Sequence, residues 1–238
     1  MPPVIPHLVK HRTTPCTLCR TARRFRPAAL LGLLPLLAAG CNIIGAAAAK
    51  APRPDIAAVY NGLAHHSVGV VVWADRSLVT DWPTIQLDIA NSIMTKLKVA
   101  QEAKSKELEG TTFPYPAASF VKYQKEHPGL EALPITEVAP RFGVDRVIYI
   151  EVNDFSTRAD GAVALYLGKI DVAMKILEVD KGKSKSVYDE ASIKSQFPDK
   201  ATKEGVLNSS DRAMYGGTIN AVTTDIVTRL IQHPDDSP

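Results

Sequence analysis

The clearest feature of the chain is a pair of short, continuous apolar runs. Residues 67–73 read SVGVVVW and residues 146–152 read RVIYIEV. Runs of this length that are rich in β-branched residues are typical of strands buried on both faces, as in a parallel sheet. A helical crossover should connect them, because parallel neighbours cannot be joined by a tight turn.

The stretch between the two runs has the period of amphipathic helices. Apolar side chains recur at every fourth position: Ile85, Ile89, Ile93 and Leu97. This predicts a helix that begins near Pro83 and ends at Gly110. Residues 117–126 predict a second helix, and Thr136 is predicted to cap a third, short one. Gly143 fits a left-handed cap before the next strand.

The C-terminal half predicts a long hairpin and a last helix. Residues 162–179 alternate apolar and polar side chains, and the phase slips at Gly168, which indicates a bulge. The turn at 180–183 (DKGK) should lead into a partner strand over 187–197. Residues 212–231 predict the helix. Together these elements predict a single α/β domain: a mixed sheet of parallel strands plus a long antiparallel hairpin, with helices packed on it.

The first 40 residues have the composition of a targeting segment. Residues 1–26 are basic without an acid, and residues 27–40 read PAALLGLLPLLAAG, with no charge. A basic region, an apolar stretch too short to span a bilayer and a small-residue end are the parts of a signal peptide. The end, Leu37-Ala38-Ala39-Gly40-Cys41, resembles the lipobox of bacterial lipoproteins. The resemblance implies cleavage between Gly40 and Cys41 and lipidation of the Cys41 thiol.

With this cleavage, the chain has four predicted parts. They are the signal peptide (1–40), the lipidated cysteine with a flexible tether (41–64), the α/β domain (65–233) and a disordered tail (234–238). The leader holds six of the 28 basic residues and none of the 25 acidic ones. The net charge of +3 is therefore a property of the leader, and no nucleic-acid partner is expected. The C-x-x-C pair Cys16 and Cys19 would be discarded with it, which argues against a zinc or redox role.

A second resemblance concerns the domain. Residues 142–152 (FGVDRVIYIEV) resemble a segment of the bacterial envelope lipoproteins related to CsgG, LpoB and the TolB amino-terminal domain. The first strand, residues 169–179 (KIDVAMKILEV) and the last helix follow in the same order. The resemblance covers most of residues 65–232. It implies an α/β fold, a binding, assembly or secretion-accessory role without enzymatic activity, and a turn or cap role for Asp145.

Candidate chemical groups are few. No nucleotide-binding, P-loop, zinc-protease, hydrolase or EF-hand motif occurs in the sequence, and no metal or cofactor is expected. Asp75 and Asp81 follow the first strand, where α/β folds often bind ligands, so a metal-dependent periplasmic hydrolase is the alternative function. Loop solvation and helix capping are their competing roles. His65 and His66 should point to opposite sides of an extended chain, which favours a solvated pair over a metal site.

The hairpin is the candidate surface for a partner. Lys181, Lys183 and Lys185 cluster at its tip, where they could meet an acidic partner or lipid head group or simply discourage edge pairing. A hairpin over 162–197 exceeds the usual strand length, so part of it should project beyond the sheet and accept a partner strand. Tyr149 could line a partner groove or pack in the sheet.

The sequence therefore predicts a lipid-anchored envelope protein that faces the periplasm and binds another envelope protein. Asn42 rather than Asp follows Cys41, which favours the outer membrane by the habit of enteric bacteria.

Overall fold

The computed structural model describes residues 54–162, 164–199 and 205–235. The predicted signal peptide and the Cys41 lipidation site lie outside these residues. The described strands are β1 (Asp55–Ile56), β2 (Val68–Ala74), β3 (Arg146–Arg158), β4 (Tyr166–Asp180), β5 (Lys183–Phe197) and β6 (His233–Pro234). The described α-helices are α1 (Arg76–Asp81), α2 (Ile85–Glu102), α3 (Ala117–Glu126), α4 (Ile135–Val138) and α5 (Asp211–Thr228). Short 3₁₀ turns occupy Lys106–Leu108, Pro128–Ala132 and Ala139–Phe142.

Four of the strands form one mixed sheet, in the order β2-β3-β4-β5. β2 and β3 are parallel, whereas β4 is antiparallel to both β3 and β5. Helices α2 and α5 cover one face, where the larger apolar cluster lies. Helix α3, α4 and the turn Ala139–Phe142 cover part of the other face with a smaller cluster. The predicted fold class, a mixed sheet with packed helices, is confirmed.

The long hairpin does not project beyond the sheet, and the expectation that it would is wrong. β3 continues past Val152 to Arg158, so β4 pairs with it from Glu178 to Tyr166. The register shifts between Ser156 and Arg158, opposite the part of β4 that contains Gly168, which confirms the predicted bulge. At the tip, Lys181 and Gly182 have φ of 48° and 76°, as a two-residue hairpin turn requires.

β5 is the open edge of the sheet, and it carries features that hinder strand addition. Two register irregularities interrupt its pairing with β4, near Val172 and near Ile176. Such bulges twist an edge strand away from a flat pairing surface. Edge lysines such as Lys183 and Lys185 also discourage pairing, because of their charge. The opposite edge strand, β2, lies where α2 and α3 meet.

Two helix boundaries differ from the predictions. α2 ends at Glu102, because the polar residues after it offer no apolar face to the core, and the chain turns at Lys104, which has φ of 63°. Thr136 lies inside α4 instead of capping it; Pro134 occupies the position before the helix. Gly143 has the predicted left-handed conformation, with φ of 67°.

Asp145 joins the beginnings of the two parallel strands. Its Oδ2 accepts hydrogen bonds from the backbone N–H and the hydroxyl of Ser67, at 2.9 and 2.7 Å. The N–H of Asp145 donates to Ser67 Oγ at 2.9 Å. These bonds from Ser67 hold the pKa of the Asp145 carboxyl below its ordinary value. The side chain of Asp145 thus links the beginnings of β2 and β3.

The segment before β2 belongs to the domain, so the predicted tether at 41–64 is too long. β1 pairs with β6, with Asp55 opposite Pro234. Leu63 is fully buried in the larger apolar cluster. The predicted disordered tail likewise begins too early, since His233–Pro234 forms β6. Over residues 54–162, 164–199 and 205–235, no helix has both the length and the apolar character to cross a membrane.

Candidate functional site

A cleft of about 360 Å³ opens where the parallel pairing of β2 and β3 ends, at the carboxyl end of β2, on the face partly covered by α3. This is the end at which α/β sheets commonly bind ligands. Its floor comes from β2 and β3, and its walls come from α1, the start of α2, the end of α3 and the turns around α4. The lining residues are Val71, Trp73, Ala74, Arg76, Val79, Thr80, Gln86, Gln124, Lys125, His127, Leu130, Glu131, Leu133, Ile135, Val138, Phe142, Tyr149 and Glu151.

The alternation of side chains along each strand builds the floor. Val71 and Trp73 on β2 lie opposite Tyr149 and Glu151 on β3, respectively. Residues two apart point to the same face of a strand, so all four side chains face the cleft. Val71 is buried, whereas Trp73, Tyr149 and Glu151 are half-buried and reach the open part of the cleft.

Two glutamines close the outer edge of β2 at the wall of the cleft. Gln86 on α2 and Gln124 on α3 each donate a side-chain N–H to the carbonyl oxygen of Val72, at 3.2 and 3.3 Å. With its Nε2 used in this way, Gln124 keeps its Oε1 as a free acceptor. That oxygen is buried and has no hydrogen-bond partner among the described residues. A buried amide oxygen without a partner is costly, so a donor from a ligand would stabilise it.

Glu151 has no ion-pair partner within the described part of the chain, although its face of the sheet is rich in paired charges. Its cross-strand neighbours are Trp73 on β2 and the small residue Ala173 on β4. The nearby charges on β4 are paired across strands: Lys175 with Asp189 at 3.6 Å, and Asp171 with Lys194 at 3.8 Å.

Tyr149 lies two positions before Glu151 on the same strand. Burial, with the negative charge of Glu151 as a second cause, raises the pKa of the Tyr149 hydroxyl well above its ordinary value. The phenol therefore stays protonated in water at any physiological pH. It offers the cleft one O–H donor and one oxygen acceptor.

Exposed basic side chains lie around the mouth of the cleft. Arg76 lies on α1, and Lys125 and His127 lie at the end of α3. The His127 ring stacks on Tyr123, with 4.2 Å between ring centroids. The interior is thus apolar with unpaired acceptors, and the mouth carries two cations, Arg76 and Lys125, and one acid, Glu131.

The structure places Asp75 beside the cleft but uses its carboxylate for local structure. Oδ1 accepts from the N–H of Leu78 and the hydroxyl of Ser77, at 2.9 and 2.7 Å, and so caps α1. These two bonds lower the pKa of the Asp75 carboxyl. Asp81 ends the same helix, roughly 9 Å further along its axis at 1.5 Å per residue, and does not line the cleft. The two carboxylates therefore do not converge on one ligand.

The other predicted site residues also lie apart from the cleft. His66 Nε2 lies 3.1 Å from a guanidinium nitrogen of Arg146, while the His65 ring packs at Gly110. The side chains of the two histidines do not converge, and no group of three potential metal ligands occurs in the ranges the structure covers. At the hairpin tip, Lys181 and Lys183 are exposed, and Lys185 pairs with Glu178 at 2.9 Å.

Sequence reasoning missed most of the cleft. The helical period places Gln124 on the inner side of its helix, but nothing in the sequence indicates an unpaired oxygen. Glu151 did leave a signal, since it is the single acid in the apolar run 146–152. A charge in such a run points either to a strand end or to a site.

No protein-family model matches the chain, and no curated protein matches it. The solved structures that are similar to it include the following three. The lipoprotein GNA1162 from Neisseria meningitidis has a TM-score of 0.39 and 19% identity over 68% of this chain and 98% of that one. The hypothetical protein CT253 from Chlamydia trachomatis has a TM-score of 0.38 and 14% identity over 70% and 98% of the two chains. A PelC dodecamer from Paraburkholderia phytofirmans, a single-substitution variant, has a TM-score of 0.38 and 10% identity over 74% and 95%. CsgG, LpoB and TolB are not among these three, and the relation to their group stays a prediction.

Proposed function

We propose that the protein is a lipoprotein of the bacterial envelope, anchored through Cys41, whose α/β domain is a non-enzymatic binding module with the cleft as its site. The lipobox-like sequence at 37–41 supports the anchor, and Asn42 favours the outer membrane. Acyl chains on one cysteine hold a protein stably at a bilayer when two or more are attached.

The position of the cleft relative to the tether carries this proposal. The N–H of Tyr60 donates to the carbonyl of Arg229, just after α5, so the chain joins the domain at the C-terminal end of α5. Tyr60 also packs against the larger apolar cluster, which lies under α2 and α5. The cleft opens on the other face, which α3 partly covers, so the tether and the cleft lie on opposite faces of the sheet. A domain anchored in this way presents its cleft away from the membrane.

Replacing Cys41 with serine in the full chain, expressed in a bacterium that processes lipoproteins, should release the protein from the membrane fraction. The wild-type protein extracted from membranes should have the mass of residues 41–238 plus acyl chains. Cys16→Ser is the matched control, because Cys16 lies in the segment to be removed. A Cys41→Ser protein that stays in the membrane fraction, or a wild-type protein that keeps residues 27–40, would contradict the anchor.

A photo-crosslinking side chain tests the binding module. A benzophenone residue in place of Leu133, at the exposed mouth of the cleft, should give a discrete adduct in intact cells. Val99 is the matched control, since it is an exposed apolar residue at the other end of the domain. A third probe at Lys183 reports on the hairpin tip, the surface proposed from sequence. Adducts at Val99 or Lys183 with none at Leu133 would move the binding surface away from the cleft.

The alternative, a metal-dependent hydrolase that uses Asp75 and Asp81, has weaker support. Asp75 is occupied as the cap of α1, and Asp81 lies at the far end of that helix. Asp75→Asn and Asp81→Asn in the purified protein, with metal content measured, separate the two functions. A stoichiometric metal that both variants lose would favour the hydrolase.

A further inference from the structure

Glu151 at the cleft floor differs from the charged side chains on the uncovered part of the same face, which are ion-paired. On the uncovered part of the same face, Lys169, Asp171 and Lys175 each have an opposite charge within 4 Å. Glu151 is half-buried at the cleft floor, and the described residues offer it no ion pair. A carboxylate that loses part of its hydration needs a compensating cation or donors.

A second acceptor lies in the same cleft and comes from a different element. The Oε1 of Gln124, on α3, is buried and unpaired. Its orientation is fixed, because Nε2 of the same side chain donates to Val72 at 3.3 Å. The phenol oxygen of Tyr149 is a third acceptor on the floor. A group with several N–H donors can satisfy such acceptors together, and ammonium and guanidinium groups have that property.

The remaining walls suit an aliphatic stem. Val71, Val138 and Phe142 are buried lining residues, and Leu130 and Ile135 extend the apolar surface toward the mouth. Trp73 lies directly opposite Glu151 on the neighbouring strand, about 5 Å away in the sheet. An aromatic ring beside a carboxylate favours a cation through both the ring face and the charge.

We infer that this cleft binds an ammonium or guanidinium group on an aliphatic stem, held by Glu151 and Tyr149 at the floor and by Gln124 Oε1 at the wall, among apolar side chains. This inference deepens the proposed binding function and rests on it. The chemistry is that of a lysine or arginine side chain of a partner protein, or of a small free amine.

The exposed cations at the mouth restrict the part of the ligand that lies beyond the stem. Arg76 and Lys125 repel a second positive charge and attract an acidic one. A ligand with one cation and a neighbouring carboxylate should therefore bind better than a polycation. The mouth is open to solvent, so this preference should weaken as salt is added.

Calorimetric titration of the full chain, purified in detergent, tests the inference with four probes. The acetylated, amidated peptide Ala-Arg-Asp carries the cation next to an acid. The same peptide with citrulline in place of arginine keeps the shape and removes the charge. Butylguanidine supplies a small free guanidinium on an aliphatic stem without a second charge, and Ala-Arg-Arg supplies a second positive charge. We expect the arginine peptide to bind at least tenfold more tightly than the citrulline peptide and more tightly than Ala-Arg-Arg.

The variant Glu151→Gln should weaken binding of the arginine peptide at least tenfold. It is nearly isosteric, and its thermal unfolding midpoint checks that the fold is intact. Glu102→Gln is the matched control, because Glu102 is an exposed acid at the C-terminal end of α2, away from the cleft. Its affinity should equal that of the wild type. If butylguanidine binds as tightly as the peptide, a small free cation is the source; if the peptide binds and butylguanidine does not, a protein side chain is.

Equal binding of the arginine and citrulline peptides, unchanged affinity in a folded Glu151→Gln variant, or no binding of any probe would overturn the cation inference. The crosslink at Leu133 does not depend on this result. An adduct there without cation binding would leave the cleft as the partner site and reject only the ligand class. If no adduct forms at Leu133, the cleft is not the binding site and the proposed function is rejected.

Discussion

Replacing Gly168 with alanine should lower the free energy of unfolding by about 3 kcal/mol, the upper end of the usual cost of overpacking. Gly168 is buried in β4 where the strand passes beneath α5. A Cβ at this position would overlap the Thr218 hydroxyl and lie 3.2 Å from the carbonyl oxygen of Met214. Because the second contact is to helix backbone, α5 itself would have to move. Chemical denaturation of the purified protein measures the change.

A double-mutant cycle separates this clash from any general effect of alanine. Thr218 is fully buried and its hydroxyl has no partner among the described residues, so Thr218→Ala alone should be nearly neutral. In the Gly168→Ala background it should restore part of the lost stability. Gly216→Ala is the control for the helix, since a Cβ there meets nothing within 4 Å. That variant should gain about 0.5–1 kcal/mol from helix propensity. A stable Gly168→Ala protein would show that α5 does not lie tightly on β4.

Much of the fold could be predicted because its pattern is periodic. The strand at 146–152 follows from its continuous apolar run and the helix at 117–126 from its local sequence pattern, and α3 has the predicted bounds. The bulge at Gly168 was visible as a phase slip. The length of β3 was not, because its second half carries polar residues on an uncovered face and loses the apolar signal. Because β3 is long, β4 has a pairing partner along almost its whole length and does not project. The wrong expectation of a projecting hairpin came from missing the length of β3.

The cleft could be predicted less well, because it depends on contacts between distant segments. Gln86 and Gln124 are separated by 38 positions, yet both donate to Val72. Residue type cannot show that one oxygen of an amide stays unpaired. Asp75 shows the converse: its position after a strand suggested a ligand site, whereas Ser77 and Leu78, two and three residues later, engage it as a helix cap.

The segment before β2 supplies the second prediction of a large effect. Leu63→Ala should lower the free energy of unfolding by about 3 kcal/mol, as expected for a fully buried leucine. Leu63 packs in the larger apolar cluster, and its carbonyl accepts from the Thr111 hydroxyl at 2.9 Å. The backbone around it is fixed as well, since Gly62 accepts from Arg146 at 3.2 Å. The neighbouring residues therefore cannot move far enough to fill the space of the lost leucine side chain, and a cavity would remain.

Val59→Ala is the matched control, because Val59 precedes Leu63 by four residues and is 66% exposed. Its unfolding midpoint in urea should be that of the wild type. If residues up to 64 were a flexible tether, Leu63→Ala and Val59→Ala would behave alike. A large loss for Leu63→Ala alone would mean that the flexible linker ends before Leu63. In the proposed function, the distance between membrane and cleft is then set by the rigid domain as well as by the linker.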